Sequence, residues 1–393
     1  MKIALISIPT PTFNNRGAAS ALPYHIIKGA GDKAEFEVWS YNSNHVSADE
    51  VEETERALGV RIHIMRQPRW MAWMFRLHLA VLRAALRYPY LRYLRLRDKA
   101  LASIHDYAPD MVWIYGEETA CFARFFPDIP CVVTMPDCES LHYHRLLGKD
   151  FATLSLPQVM RYAVAFWQYR GMERDMRRYK ATFHFVGRQD AAFFCEVCPE
   201  AKVVFLPHPL YAHRDKAIRF HKPMIRLLFA GRYDFYCQHG SDRLLEAMMT
   251  ADDLKNRYAV TFLGKGWETW AARLANAGWT CQHVTFVPDY IEELQRHDIQ
   301  VNAIDVGTGT KGKVLDAISN GLLMMGTPLA LENIAVTPGE SCVLFNNPSE
   351  AIAVLSDIPG NMAKYEAMAV RGRAAVLKEH DAAKCARELF GLN

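Results

Sequence analysis

A chain of 393 residues, half of them hydrophobic, is long enough for two domains of about 200 residues, each with its own core. Its net charge of +3 is too small to mark a nucleic-acid binder by itself. Nine irregularly spaced cysteines fit reduced thiols in a cytoplasmic protein rather than a disulfide framework.

The amino terminus, Lys2 to Ile8, reads as a buried strand, too short and too soon interrupted by Pro9 for a signal peptide. No apolar stretch reaches the length needed to span a bilayer. A loop from Pro9 to Ser20 follows, with Asn14-Asn15-Arg16-Gly17, and then a helix near Ala19 to Lys28. Gly17 serves either a tight turn or the close approach of a ligand at a strand end. Phe36–Tyr41 and Val60–Met65 are the next strands.

Residues 66–99 then carry nine Lys or Arg against one acid, Asp98. Trp70, Trp73, Phe75, Tyr88, Tyr90 and Tyr93 are interleaved, and Arg76, Arg83 and Arg87 recur at near-helical spacing. Two main readings stand, a core helix with a solvated basic side or an interfacial helix on anionic lipid, and RNA binding is a poorer third because no RNA-binding motif accompanies the segment. A second basic–aromatic helix is expected over Gln158–Lys180.

Asp110–Tyr115 and Cys131–Thr134 are strands, and the latter runs into Met135-Pro136-Asp137-Cys138-Glu139-Ser140-Leu141-His142-Tyr143. Polar side chains gather where a parallel strand ends, which is where α/β ligand sites form. The blander reading is that Asp137 and Ser140 cap a helix. Strands at 182–186 and 202–206 finish a first domain over 1–210, and polar, basic 211–223 reads as a linker. Cys195-x-x-Cys198 has no second pair or histidine beside it, so no zinc or redox role is expected there.

The second domain, expected over 224–375, opens with the strand Ile225–Ala230, then Gly231-Arg232 and a helix from Ser241 to Met249. Tyr258–Leu263 and Val284–Val287 follow. The most informative stretch is 298–334: an apolar strand, the loop Gly307-Thr308-Gly309-Thr310, a helix from Lys311 to Ser319 and a further strand ending at Gly326-Thr327-Pro328. Glycines admit a ligand, and free helix N–H groups with the helix dipole favour an anion. Lys311 and Lys313 add charge. Asp316, about a turn and a half in, is placed to accept hydrogen bonds from sugar hydroxyls. The spacing is neither a P-loop nor a Gly-x-Gly-x-x-Gly fingerprint.

Gly-Thr-Gly-Thr-Lys-x-Lys-Val-Leu-Asp-Ala followed by Gly-Thr-Pro resembles the donor-site motif of family-four retaining glycosyltransferases of the bacterial polysaccharide type. Asp316 stands where that family has its second carboxylate, and Thr308 stands at the first. The resemblance implies an α/β GT-B fold: two Rossmann-like, doubly wound parallel-sheet domains facing a cleft. It also implies that the terminal helix, expected within 376–393, crosses back to the first domain. Gly17, Arg232, Val287, Gly309, Thr310, Lys311 and Asp316 would then bind the donor, with His239 at the place of a second diphosphate-gripping cation. The Asp-x-x-Ser-Leu-x-Tyr pattern at 137–143 is similar to a turn of exopolysaccharide glycosyltransferases. Its usual histidine place reads Pro136, which leaves Asp137 as the catalytic candidate.

The implied reaction moves a sugar from a nucleotide diphosphate sugar, the only co-substrate, to a glycan or lipid-linked acceptor in cell-surface polysaccharide synthesis. No metal, other cofactor or nucleic acid is expected. The basic–aromatic helices would dock the enzyme peripherally on the inner face of the cell membrane. A GT-B epimerase or hydrolase, or a non-catalytic nucleotide-sugar-binding scaffold, are the alternatives.

Overall fold

The computed structural model describes residues 1–13, 18–68, 70–71, 90–149 and 154–392. The chain divides into two compact units, Met1–Pro209 with Ala382–Asn393, and Leu210–Asp381.

The first unit is built on seven parallel strands: β1 (Lys2–Ser7), β2 (Glu35–Ser40), β3 (Arg61–Ile64), β4 (Met111–Tyr115), β5 (Cys131–Met135), β6 (Thr182–Phe185) and β7 (Lys202–Phe205). Their order is β3-β2-β1-β4-β5-β6-β7. Side chains alternate across a strand, so Ala4 and Ile6 enter one core while Ile3 and Leu5 enter another on the opposite face. Helices cover both faces, which is why β1 reads as a continuous apolar run rather than an alternating one. The helix Ala382–Phe390 packs on the helix Ala18–Ala30. Gly29 permits this approach, because a Cβ there would overlap the Ala382 carbonyl. Phe390 sets its ring edge-on to Trp113 at 5.1 Å.

The second unit has six parallel strands: β8 (Ile225–Ala230), β9 (Tyr258–Leu263), β10 (Thr280–Val284), β11 (Ile299–Asn302), β12 (Leu323–Gly326) and β13 (Val343–Leu344). The order is β10-β9-β8-β11-β12-β13. Strand order reverses between β8 and β11 here, and between β1 and β4 in the first unit. Such a reversal opens a crevice at the strand carboxyl ends.

Three expectations need correction or limits. Segment 211–223 is no free linker but part of the second unit. Ile218 and Phe220 are buried, Glu366 accepts the Phe220 N–H at 2.9 Å, and Asp298 accepts from His221 Nδ1 at 2.8 Å. Apolar residues spaced two apart gave that polar stretch its anchorage. The helix expected within 376–393 is two helices, Met362–Glu379 and Ala382–Phe390, of which only the second belongs to the first unit. In the basic–aromatic segment, Trp73, Phe75, Arg76, Arg83, Arg87 and Tyr88 lie outside the described residues. Of its flanks, Met71 is fully buried and Trp70 is 39% exposed, its ring set edge-on to that of Tyr93 with centroids 5.7 Å apart.

Candidate functional site

The second unit gathers the donor-site candidates at the carboxyl ends of β8, β9, β10 and β11, around its reversal point. β8 leads to Gly231, at a φ of 122°, and Arg232, which is exposed. A Cβ on Gly231 would sit 3.2 Å from Lys313 Cε, so the glycine makes room for the Lys313 stem to lie across the strand end. A Cβ on Gly264, after β9, would overlap the Gly231 carbonyl. The Trp267 indole donates to that carbonyl at 2.7 Å. Bare backbone at successive strand ends is what brings Arg232 and Lys313 into one neighbourhood.

The helix Gln238–Met249 starts hard against β11, because a Cβ on Gly240 would overlap the Ala303 carbonyl. Its His239 pairs with Asp305 at 2.8 Å. The cation expected to grip a diphosphate is thus already matched to a carboxylate of the loop after β11.

That loop holds Gly307 and Gly309 at positive φ, 132° and 63°. Thr327 secures it from below: its hydroxyl donates to the Ile304 carbonyl, accepts the Ala330 N–H at 3.2 Å, and so caps the short helix Pro328–Leu331. This is the structural use of Gly-Thr-Pro. Lys311 departs from expectation. Its ammonium turns back to the Thr308 and Gly309 carbonyls at 2.8 and 3.0 Å, bracing the loop. The helix begins one residue later, at Gly312. No side chain caps it, and among the described residues the Gly312 and Lys313 N–H groups have no acceptor. Lys313, exposed, is the cation left beside them. Gly309 is buried and Thr310 half-buried within the same loop.

Asp316 is 7% exposed. Burial pushes its carboxyl up to about 7, with Lys313 pulling the other way. Its carboxylate accepts no hydrogen bond from any described residue. Tyr211 and Tyr290 lie near enough that Asp316 raises both phenols, after burial itself, and the Tyr290 hydroxyl is buried without a partner. A largely buried carboxylate that meets no protein donor is costly unless water or a ligand satisfies it. Val287, half-buried, joins Ala230, Val284, Tyr290 and Ile291 around a small apolar cluster that includes Ala317. A flat ring could rest on that apolar shelf.

In the first unit, Gly17 lies outside the described residues. Asp137 is half-buried in the turn between β5 and the helix Glu139–Lys149. It neither caps that helix nor stands alone. The capping is done by carboxylates from three other elements. Asp190 accepts the Cys138 N–H at 2.9 Å, Glu173 the Ser140 N–H at 3.0 Å, and Glu117 the Glu139 N–H at 3.4 Å. The Ser140 hydroxyl also donates to Glu173. Free N–H groups and a helix dipole attract negative charge, and here the protein supplies its own.

The cost is crowding. Burial, then Glu173, Glu139 and Glu118, push the Glu117 carboxyl well above the usual range. Glu139 is pushed up to about 8 by burial, then by Asp137 and other acids. Glu117, Glu118, Glu173 and Asp190 were not singled out from sequence. The pair Glu117-Glu118 directly after a strand-ending glycine was the available signal, and only the fold could bring Glu173 and Asp190 to it. A cavity of about 500 Å³ opens beside Glu117 and Glu118, with Arg92, Arg124 and Tyr179 also in its wall.

Residues 241–391 match a family described as glycosyl transferase-like. No curated protein is matched by sequence. Among solved structures, Anabaena Alr3699/HepE in complex with UDP-glucose is similar at a TM-score of 0.62 and 12% identity, over 99% of this chain and 98% of that one. Sucrose-phosphate synthase from Thermosynechococcus elongatus is similar at 0.64 and 11%, over 100% and 98%. A UDP-forming trehalose-phosphate synthase from Burkholderia xenovorans is similar at 0.64 and 10%, over 99% and 98%. The chain has the GT-B fold of two Rossmann-like domains, and its residues 241–391 match the glycosyl transferase-like family.

Proposed function

We propose that the protein is a glycosyltransferase that takes a sugar from a nucleotide diphosphate sugar. The observation that carries this reading is Asp316: a buried carboxylate without a hydrogen-bond donor, set behind uncapped helix N–H groups and two exposed cations. A ribose would supply the missing hydroxyl donors. The diphosphate would meet the Gly312 and Lys313 N–H groups, Lys313 and Arg232, and the base would rest near Val287. Anion and sugar would then lie in the order a nucleoside diphosphate presents them. HepE was crystallised with UDP and with UDP-glucose, which supports a uridine donor as the first to test.

The reaction breaks the bond between the anomeric carbon and the leaving phosphate oxygen and forms one to an acceptor hydroxyl. Charge on the departing diphosphate is steadied by positioned donors. The acceptor proton passes to the leaving phosphate, and the anomeric configuration is retained, as the motif resemblance implies. The positive charge around the diphosphate comes from this chain, so no metal is assigned. We assign Asp137 to the acceptor side, and Arg92, Arg95 and Arg124, which share the cavity wall with Glu117, Glu118 and Asp175, would meet negative groups of an acceptor. A lipid-linked glycan in cell-surface polysaccharide synthesis has that chemistry, and peripheral attachment to the inner face of the cell membrane would serve it.

The experiment is a thermal-shift panel of nucleoside diphosphates and nucleotide sugars, because a ligand that binds only the folded state raises the midpoint. UDP and a UDP-sugar should raise it, and Asp316→Ala should blunt both responses. If no nucleoside diphosphate or nucleotide sugar moves the midpoint, the donor site is wrong. Sugar transfer to extracted lipid-linked glycans then separates a transferase from an epimerase or hydrolase.

A further inference from the structure

The helix Leu156–Asp175 of the first unit is apolar on two opposite sides. Its inner side is in the core: Ala165, Tyr169, Met172 and Glu173 are buried. Its flanks are fastened too. Tyr169 stacks on Tyr143 at 5.7 Å, and the Arg170 guanidinium lies 5.6 Å from the rings of both Phe166 and Phe193. The outer side carries Leu156, Met160, Val164 and Trp167, which are 73%, 61%, 42% and 67% exposed. Their spacing of four, four and three places them on one line along the helix. Elsewhere among the described residues, large exposed apolar side chains form no such line along a helix. A contiguous apolar stripe of this kind marks an interaction surface.

Charge indicates what covers it. Past Trp167 the same line continues through Gly171 to Arg174 and Arg178, both exposed. Arg161, Arg177 and Lys180 are exposed as well. Against these five cations stand two acids. Glu173 is buried and bonded to Ser140, and Asp175 lies 3.6 Å from Arg178. A second copy of this face would bring further cations and almost no acid to meet them. An anionic bilayer offers both things the surface lacks: apolar depth for Leu, Met and Val, and a negative headgroup layer for arginine, with tryptophan at the boundary. No helix among the described residues is long and apolar enough to cross a membrane, so the contact is one of lying on the surface.

We propose that the outer face of the helix Leu156–Asp175, with Arg174, Arg177 and Arg178, is the element that docks this protein on anionic lipid. The proposal deepens the peripheral attachment suggested above by naming the surface, and it does not depend on the basic segment 66–99. Insertion lays the helix in the headgroup plane, with the arginine end sharing that plane and the Tyr143 and Tyr169 side facing the protein.

The test is flotation of the full chain with phosphatidylcholine vesicles, with and without phosphatidylglycerol, at low and high salt. Binding is expected only with phosphatidylglycerol, and it should fall as salt screens the arginines. The double variant Met160→Ser, Trp167→Ser should weaken it about tenfold or more. The pair Arg174→Glu, Arg178→Glu should do the same by a separate route. Phe286→Ser with Val370→Ser, exposed apolar residues of the second unit, should change nothing. Each variant should keep its melting midpoint and its response to UDP. Undiminished flotation of both double variants overturns the proposal. So does a dimer on gel filtration that Met160→Ser, Trp167→Ser splits, since the face would then join two copies. A wild-type protein that floats but ignores UDP refutes the donor reading and leaves this one standing. The reverse result refutes only the docking.

Discussion

Each unit ends a central parallel strand at the start of a helix, and the two helix starts have opposite fates. In the first unit, the N–H groups of Cys138, Glu139 and Ser140 are taken by Asp190, Glu117 and Glu173. In the second, the helix Gly312–Ser319 has no side-chain cap, and lysines flank it. The same backbone feature, a set of free donors at a positive dipole end, is a folding device in one place and is left open to an anion in the other. What differs is whether the fold brings its own carboxylates. A helix start that is already neutralised has nothing left for a ligand phosphate. On the function proposed above, the diphosphate would therefore fall to the second unit, and the first would contribute chemistry through Asp137 or its neighbouring cavity.

The largest expected effect comes from breaking the first helix start. Glu173→Ala should destabilise the first unit by about 2–4 kcal/mol, because it leaves the Ser140 N–H and hydroxyl buried without an acceptor. Urea unfolding measures the loss, and UDP affinity of the folded variant should be unchanged. A change in UDP affinity would blur the division between the units.

Next is Asp137. If it serves the acceptor side, Asp137→Asn should lower turnover about 100-fold or more with little change in donor affinity, as a group acting on the transition state does. Single-turnover kinetics beside titration calorimetry would show the split, and an unaffected rate would remove Asp137 from the reaction.

At the second helix start, Arg232→Ala and Lys313→Ala should each weaken nucleoside diphosphate binding by about 1–3 kcal/mol, the range of charge-assisted hydrogen bonds. Lys311→Ala should cost less, because its ammonium is engaged on the Thr308 and Gly309 carbonyls. Calorimetry that ranked Lys311 above Lys313 would mean that the lysine swings out to the ligand.

The smallest effect is one of pH. Asp316 titrates near 7 in the folded protein, above the ordinary 3.8. A ribose hydroxyl donates to the ionised form, so UDP affinity should rise about tenfold between pH 6 and 8, at 1.36 kcal/mol per unit of pKa. Asp316→Asn should flatten that rise. Stability of the free protein runs the other way. The folded state holds a proton that the unfolded chain releases above about pH 4. The stabilisation is therefore complete below pH 4 and lost as pH rises through 7. Asp316→Asn should raise the ligand-free midpoint at pH 8 by about 2–6 °C and have less effect near pH 5. Parallel pH profiles for the wild type and Asp316→Asn would exclude a buried, unpartnered Asp316.

By itself, the sequence determined the architecture and pointed to the stretch proposed as the anion site. Continuous apolar runs ending in Gly or Pro are local signals for buried parallel strands, and Gly-Thr-Gly-Thr followed by lysines is a local signal for an uncapped helix start. Both survive because they depend on neighbours in the chain. Tertiary structure alone decided which cation is available. Lys311 and Lys313 are alike in sequence, but one is spent on its own loop while the other crosses Gly231, some 80 residues away. It also decided that Ser140 answers to Glu173, and that His239 is matched by Asp305. It fixed which side of the helix Leu156–Asp175 stays uncovered, because periodicity shows that a helix is apolar on two sides but not which side the core fills. Hydrogen bonds and burial between distant residues follow from strand order and helix placement, and no local pattern encodes them.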